Sequence, residues 1–347
     1  MKRLLSAAIT AVVVVLMMQT FVALGLLRPV VVEGVSMAPT LDGERLLVDR
    51  TPTSPRRWDV VVARRPDDAS RLCVKRVLGL PGERVAFRDG DLWIDGQRVA
   101  KPIAVQRKLR VPISSGPSEW RPTRNTWGMA DGGWSPLDEE QAAVLGFAPS
   151  GGWPIRDDLP LNDQVSRQLN AVADAQVTAS VSLGGDASVA ITIDQAANRL
   201  VATIDRNRAR LAVASGGDQE QLADASLGGA RLIEATLSTF DGVPLLAIGG
   251  GPVLTLPSLP PAAVTGISIA TAPGGPVTLS DLQVWRDLYY EADPRRGLRD
   301  STDEWSLGTE AYFLVGDNQA VSTDSRTWGP AVGVPRRQLV GRVATAW

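Results

Sequence analysis

The sequence predicts a mainly β protein carried on one membrane-spanning helix, and three observations support that expectation. The first is an apolar run from Leu4 to Leu27, broken only by Ser6, Thr10, Gln19, Thr20 and Gly25. The second is the density of turn formers: 33 Gly and 24 Pro in 347 residues favour many short strands over long helices. The third is a series of alternating segments after residue 175, divided by Gly-Gly, Asp-Gly and Asn turns. That is the pattern of a β-sandwich or jelly roll.

The apolar run is long enough to span roughly 30 Å of hydrocarbon with some tilt. Lys2 and Arg3 precede it, so the positive-inside rule keeps the N-terminus in the cytoplasm and exports the rest. A cleaved signal peptide suits the segment less well. Its apolar stretch is usually only ~7–15 residues, and the only small residues VALGLLRPV offers for a cleavage site are Ala23 and Gly25, followed by bulky ones. Residues 1–28 are therefore expected to form a single-pass anchor in the cytoplasmic membrane, with the remainder on the extracytoplasmic side.

Residues 29–105 read as short strands: RLLVDR, WDVVVARRP, LCVKRVLGLPGERVAF and DGDLWIDGQRV, the last with Asp-Gly hairpin signals at 89–90 and 95–96. They predict a small, strongly curved antiparallel sheet. Residues 305–347 return to this style with YFLVGD and QLVGRVATA. Between them, 106–304 are expected to form a large inserted β-rich domain, sandwich-like or jelly-roll-like. Arg107 to Pro154 is rich in Trp, Pro, Ser and Gly and weakly periodic. Gln164 to Asp174 is expected to be a short helix. From Ala175 onward strands dominate, including QVTASVSL, SVAITID, RLVATID, RLAVAS, RLIEATLSTFDG, ISIATA and VTLSDLQVW. Val243 to Leu256 reads as two strands and a turn. Trp120, Trp127, Trp134 and Trp153 are expected to build a core, with a glycan or protein contact as the sharper alternative.

Composition narrows the chemistry. With no histidine, a Ser-His-Asp triad and a histidine-ligated zinc site are both impossible. One cysteine, Cys73, excludes an internal disulfide and a cysteine-rich metal site. A net charge of -2 gives no broad basic face for nucleic acid. No cofactor or metal is implied.

Ser36 stands in VEGVSMAPTL, shortly after the apolar run. Without histidine, a nucleophilic serine needs another base. Lysine serves when burial among apolar groups disfavours its charged form. Lys2 lies on the cytoplasmic side, Lys101 precedes Pro102 in a loop, and Lys108 sits in a charged stretch. Lys75 alone lies in an apolar strand, LCVKRVLGLPG; the bland alternative is a strand lysine with an exposed tip. A third stretch, LVGDNQAVSTDSRTWGP at 314–330, concentrates Asp317, Asn318, Ser322, Asp324, Ser325 and Arg326. Such a loop can set a hydroxyl beside the lysine and brace itself with an Asp–Arg pair. It can equally be a polar turn rich in capping residues.

Taken together, GVSMAPTL, WDVVVARRP, VKRVLGLPGERV and GDNQAVSTDSRTWG resemble the boxes of the type I signal peptidases. These are membrane-bound Ser-Lys endopeptidases that remove signal peptides. The resemblance covers roughly residues 1–100 and 308–347, with Trp58 where the family usually has glycine. It implies Ser36 as nucleophile and Lys75 as general base and later acid. It implies Ser322 as a hydrogen-bonding partner that orients Lys75, Asp324 with Arg326 as a supporting ion pair, and Arg76 paired with Asp317 beneath the site. The Ser36 main-chain N–H would donate to the oxyanion. Some members add a serine hydroxyl two residues before the nucleophile; here that position is Gly34, one donor fewer. Met37 is expected to pack against Lys75 and desolvate it. Cys73, two residues before Lys75, shares its strand face. Trp58 or Trp328 is a candidate for the membrane interface, with core packing the plainer role for Trp328.

The implied reaction is cleavage after small-x-small, Ala-x-Ala-like, sites. The implied partners are signal peptides of secretory precursors, membrane lipid and the export machinery, without nucleic acid. Two other readings remain open at this point: a self-cleaving repressor-type Ser-Lys protease, and a catalytically inactive membrane-anchored scaffold whose β insertion binds an envelope partner.

Overall fold

The computed structural model describes residues 25–41, 43–51, 54–114, 116–130, 132–162, 164–215, 221–301, 304–329 and 332–346, together with Thr10 and Thr20. The expected anchor at Leu4 to Leu27 lies almost wholly outside them. Among the described residues no helix is long and apolar enough to cross a membrane. The protein is mainly β, and it divides into two compact units: Met1–Arg98 with Tyr290–Trp347, and Val99–Tyr289.

The first unit is built on a seven-stranded antiparallel sheet. Its early strands are β1 (Leu27–Val31), β2 (Arg45–Asp49), β3 (Val60–Arg64) and β4 (Leu72–Gly79). Strand Leu339–Ala346 inserts between β2 and β3, and strand Ala311–Val315 pairs with the far side of β4. The two ends of the chain are thus woven into one sheet. Both faces of β3 are buried, as its β-branched run predicts: Val61 and Ala63 join one apolar cluster with Val77, Leu314 and Trp328, while Val62 joins another with Met37, Leu46 and Val48. Alternation along a strand sends neighbouring side chains to opposite faces. Trp328 is buried in that first cluster, so it packs the core and does not reach a membrane interface. A second sheet, of four strands, carries the hairpins around Asp89-Gly90 and Asp95-Gly96. All four turn residues have positive φ, which two-residue hairpin turns demand.

The second unit is two antiparallel sheets, of eight and seven strands, sharing one apolar core. Val177, Ala179 and Val181 enter it from one sheet, and Ile191, Ile193, Leu200 and Ala202 from the other. Val243 to Leu256 forms strands Leu245–Ile248 and Val253–Thr255, paired across a turn. Trp120 and Trp127 are buried in the core with Trp134 packed against it; Trp153 is partly exposed and meets Phe147 edge-on.

Two local expectations are corrected. Gln164 to Asp174 is not helical. Its backbone is taken up by tertiary partners: Asn170 exchanges hydrogen bonds with Asp157, and Val172 bonds to Ile155 and Val264. Helical propensity loses to these pairings. The α-helix among the described residues is instead Ile103–Leu109, entered from Pro102, a residue pre-set for a first helical turn. The weakly periodic stretch from Arg107 to Pro154 also holds four short strands, Trp120–Pro122, Trp127–Ala130, Gly133–Pro136 and Ala143–Phe147.

Candidate active site

Ser36 sits in the turn after β1, half-buried, and Lys75 points from the middle of β4. Lys75 Nζ lies 2.8 Å from Ser36 Oγ and donates to the Val74 carbonyl at 3.1 Å. Lys75 is 3% exposed, and no carboxylate pairs with it among the described residues. Burial pulls its pKa below the usual lysine range, against the opposing fields of Asp324 and Asp317. An amine held this way is a base rather than a fixed cation. Met37 is fully buried in the cluster with Leu46, Val48 and Val62.

Two ion pairs brace the surroundings. Arg76, the next residue on β4, points to the opposite face. It clasps Asp317 with two bonds, Nε to Oδ1 at 2.8 Å and Nη2 to Oδ2 at 2.5 Å, and its Nη1 donates to the Trp58 carbonyl at 2.7 Å. Trp58 has φ 76, a left-handed conformation that suits glycine; the aromatic ring stacks on Tyr290. Asp324 receives Arg326 Nε at 2.8 Å and Nη2 at 2.6 Å. Burial raises the Asp324 carboxyl, but the Arg326 guanidinium and the hydrogen bonds it accepts outweigh this and leave it below the usual range.

The loop after strand Ala311–Val315 reaches the serine through its backbone. Asn318 N–H donates to the Ser36 carbonyl at 3.1 Å. Gly316 N–H donates to Asp324 Oδ2 at 3.0 Å. A Cβ on Gly316 would collide with Ser322 Oγ and the Ser36 carbonyl, so only glycine allows this approach. Ser322 is therefore beside the site, but its hydroxyl is turned to the Asp324 carboxyl, which it helps hold below the usual range, and makes no hydrogen bond to Lys75. The Val74 carbonyl holds the amine instead. Sequence reasoning also missed Gln319, which accepts from Arg326 Nη1 at 2.5 Å and donates to the Gly316 carbonyl at 2.6 Å. Its spacing within the polar loop was the available signal.

Around the pair runs a groove of about 480 Å³, lined by Val30, Val32, Val62, Cys73 and Val321 among others. Cys73 donates to the Ala63 carbonyl at 3.5 Å, and burial pushes its thiol pKa up, which keeps it protonated and unreactive. Gly34 has φ 89 and open space where a side chain would be. The Ser36 main-chain N–H has no backbone acceptor among the described residues.

A family model described as "Signal peptidase, peptidase S26" matches residues 1–147 and 281–347, well over half of the chain. The chain belongs to the signal peptidase S26 family. The match reaches past the four boxes into 101–147 and 281–307. Curated relatives include "Signal peptidase I" of Bacillus licheniformis, 41% identical over 106 residues, covering 29% of this chain and 54% of that one. "Signal peptidase I T" of Bacillus subtilis (strain 168) is 39% identical over 107 residues, covering 29% and 52%. The chain spans about half the length of the curated relatives it matches. Among solved structures, the carbohydrate binding module CBM66 from Bacillus subtilis aligns at a TM-score of 0.34 and 9% identity, over 48% of this chain and 94% of that one. A likeness that low assigns the second unit neither a fold nor a ligand.

Proposed function

We propose that this S26 family member is a membrane-anchored serine endopeptidase that removes signal peptides from exported precursors, using Ser36 and Lys75 as its catalytic pair. The observation that carries the reading is the 2.8 Å approach of a buried, carboxylate-free lysine amine to a serine hydroxyl. In the proposed reaction neutral Lys75 takes the Ser36 proton as Oγ attacks the scissile carbonyl carbon. The tetrahedral oxyanion is received by main-chain N–H groups, that of Ser36 first among them. Lys75 returns the proton to the departing amine, which becomes the N-terminus of the mature protein. Water, deprotonated by Lys75, then hydrolyses the ester. The groove's valine lining supports a preference for small residues at the first and third positions before the cut.

Leu4–Leu27 is the proposed single-pass anchor, placing the site on the extracytoplasmic face, where signal peptides and the export machinery would meet it. The second unit is proposed to be a jelly-roll-like insertion. The test is precursor cleavage in detergent with N-terminal sequencing of the product. Cleavage after a small-x-small site is expected, together with its loss in Ser36→Ala. A cut elsewhere removes the proposed specificity, and an active Ser36→Ala variant removes the mechanism.

A further inference from the structure

Outside the serine–lysine centre, the first unit carries a dense arginine surface that the proposed reaction does not use. Two grooves of about 380 and 330 Å³ share Arg50, Leu339 and Val340, and so form one continuous surface. Arg28, Arg64 and Arg337 line the first with Arg50, and Arg336 and Arg342 line the second. Arg28, Arg50, Arg64, Arg336 and Arg337 are exposed. Among the described residues none of these five pairs with a carboxylate. Arg342 alone has distant acidic neighbours, Asp49 and Asp59, each at 3.8 Å.

The chain as a whole carries only -2, so this concentration is local and built by folding. It draws on β1, the end of β2, β3 and the turn Arg336–Gln338, which are remote in sequence. Its position relative to the apolar run is the second observation. Arg28 follows Leu27 directly, and Arg50 Nη1 donates to the Gly25 carbonyl at 3.5 Å. The surface therefore begins where the apolar run ends. Basic residues next to the exported end of a span work against the positive-inside bias, so their presence there calls for a use. Apolar side chains are interleaved with them: Leu72, 43% exposed, lines both this surface and the active-site groove. Guanidinium groups fit phosphate oxygens in a fork geometry, and a basic surface at headgroup depth gains from an anionic leaflet.

We propose that this arginine surface binds the phosphate headgroups of anionic phospholipids and seats the first unit on the membrane beside its anchor. The proposal rests on reading Leu4–Leu27 as that anchor, but it is tested without it. Full-length protein in neutral detergent is titrated with dansyl-labelled phosphatidylglycerol or phosphatidylcholine, and binding is read as tryptophan-to-dansyl energy transfer. Phosphatidylglycerol is expected to bind about tenfold tighter or more, and to weaken as salt is raised. The variant Arg28→Gln/Arg50→Gln/Arg337→Gln is expected to lose at least about tenfold of that affinity, while Ser36 still reacts with a serine-directed lactam at the normal rate. Equal affinity for the two lipids overturns the proposal, as does a triple variant that binds normally. Displacement by inorganic phosphate also overturns it, by making the surface a free-anion site. Alkaline extraction of membranes tests the anchor separately: a chain that extracts freely yet binds phosphatidylglycerol loses the anchor and keeps the lipid surface.

Discussion

Lys75 and Lys101 are both buried, at 3% and 2% exposure, yet their surroundings treat them in opposite ways. Lys75 has a hydroxyl and a main-chain carbonyl as partners. Lys101 Nζ donates to Asp287 Oδ2 at 2.7 Å and to Asp241 Oδ1, and its own main-chain N–H bonds Asp241 Oδ2 at 2.6 Å. One lysine is kept without a counter-charge and its pKa falls. The other is held between two fully buried aspartates and donates to both. Burial alone therefore does not suit a lysine to act as a base; burial without a carboxylate does. In the proposed mechanism the same residue type is a proton carrier in one unit and a structural tie in the other.

The largest expected effect separates them by function. Lys75→Met should reduce precursor cleavage on the order of 10⁴-fold or more, as loss of one member of a catalytic pair does. It should leave the fold intact and slightly stabilised at neutral pH, because a methionine has no charge to desolvate. Lys101→Met should do the reverse. It strands two buried aspartates, which costs about 3–5 kcal/mol, visible as a lowered denaturant midpoint. Refolded protein should still cleave. Equal loss of cleavage in both variants at matched folded fraction would erase the distinction.

The pH dependence sharpens the contrast next. Lys75 titrates below the usual lysine value, so cleavage should rise with pH through that lowered pKa and fall away on the acid side as the amine protonates. In the second unit burial pushes the Asp287 carboxyl up, to about 7, against the pull of Lys101. Its folded pKa exceeds the unfolded value of 3.8. Its contribution to stability is thus fully present below that value and lost as pH rises towards 7. Asp287→Asn should flatten this slope in equilibrium unfolding across that window, without moving the cleavage profile. A cleavage profile that shifts with Asp287→Asn would tie the two lysines to one titration.

The comparison also explains what the sequence could tell. Ser36, Lys75, Arg76, Asp317, Asp324 and Arg326 stand inside short local patterns, and the strands that bring them together have the alternating or continuous apolar signature of their kind. Lys101 carries no such signature. It precedes a proline in a loop, and its partners lie 140 and 186 residues away, so nothing nearby announces an ion cluster. Main-chain roles were equally silent. The Val74 carbonyl that holds Lys75, and the Asn318 N–H that holds Ser36, depend on strand and loop geometry rather than side-chain identity. Gln164 to Asp174 failed for a related reason: its helical pattern is weak, and its partners, the 155–157 segment, the Tyr289 hydroxyl and Val264, are set by the tertiary fold. Trp58 shows the opposite case. It departs from the glycine of the motif, yet the chain keeps the left-handed backbone that glycine would serve.

The smallest expected effect concerns Gly34, and it asks whether the lysine alone limits the site. The missing hydroxyl before the nucleophile invites the variant Gly34→Ser. Space is no obstacle, since nothing lies within 4 Å of a Cβ there. The obstacle is the backbone, with φ 89, where a side chain costs about 1–2 kcal/mol. If main-chain N–H groups suffice for the oxyanion, Gly34→Ser lowers stability by roughly that amount and leaves kcat unchanged or slightly reduced. If the site is short of a donor, kcat rises while the pH profile set by Lys75 stays in place. A higher kcat in Gly34→Ser would show that oxyanion binding, not the lysine base, is the weaker half of this centre. An unchanged kcat would place the whole demand on Lys75, which is where the contrast with Lys101 locates it.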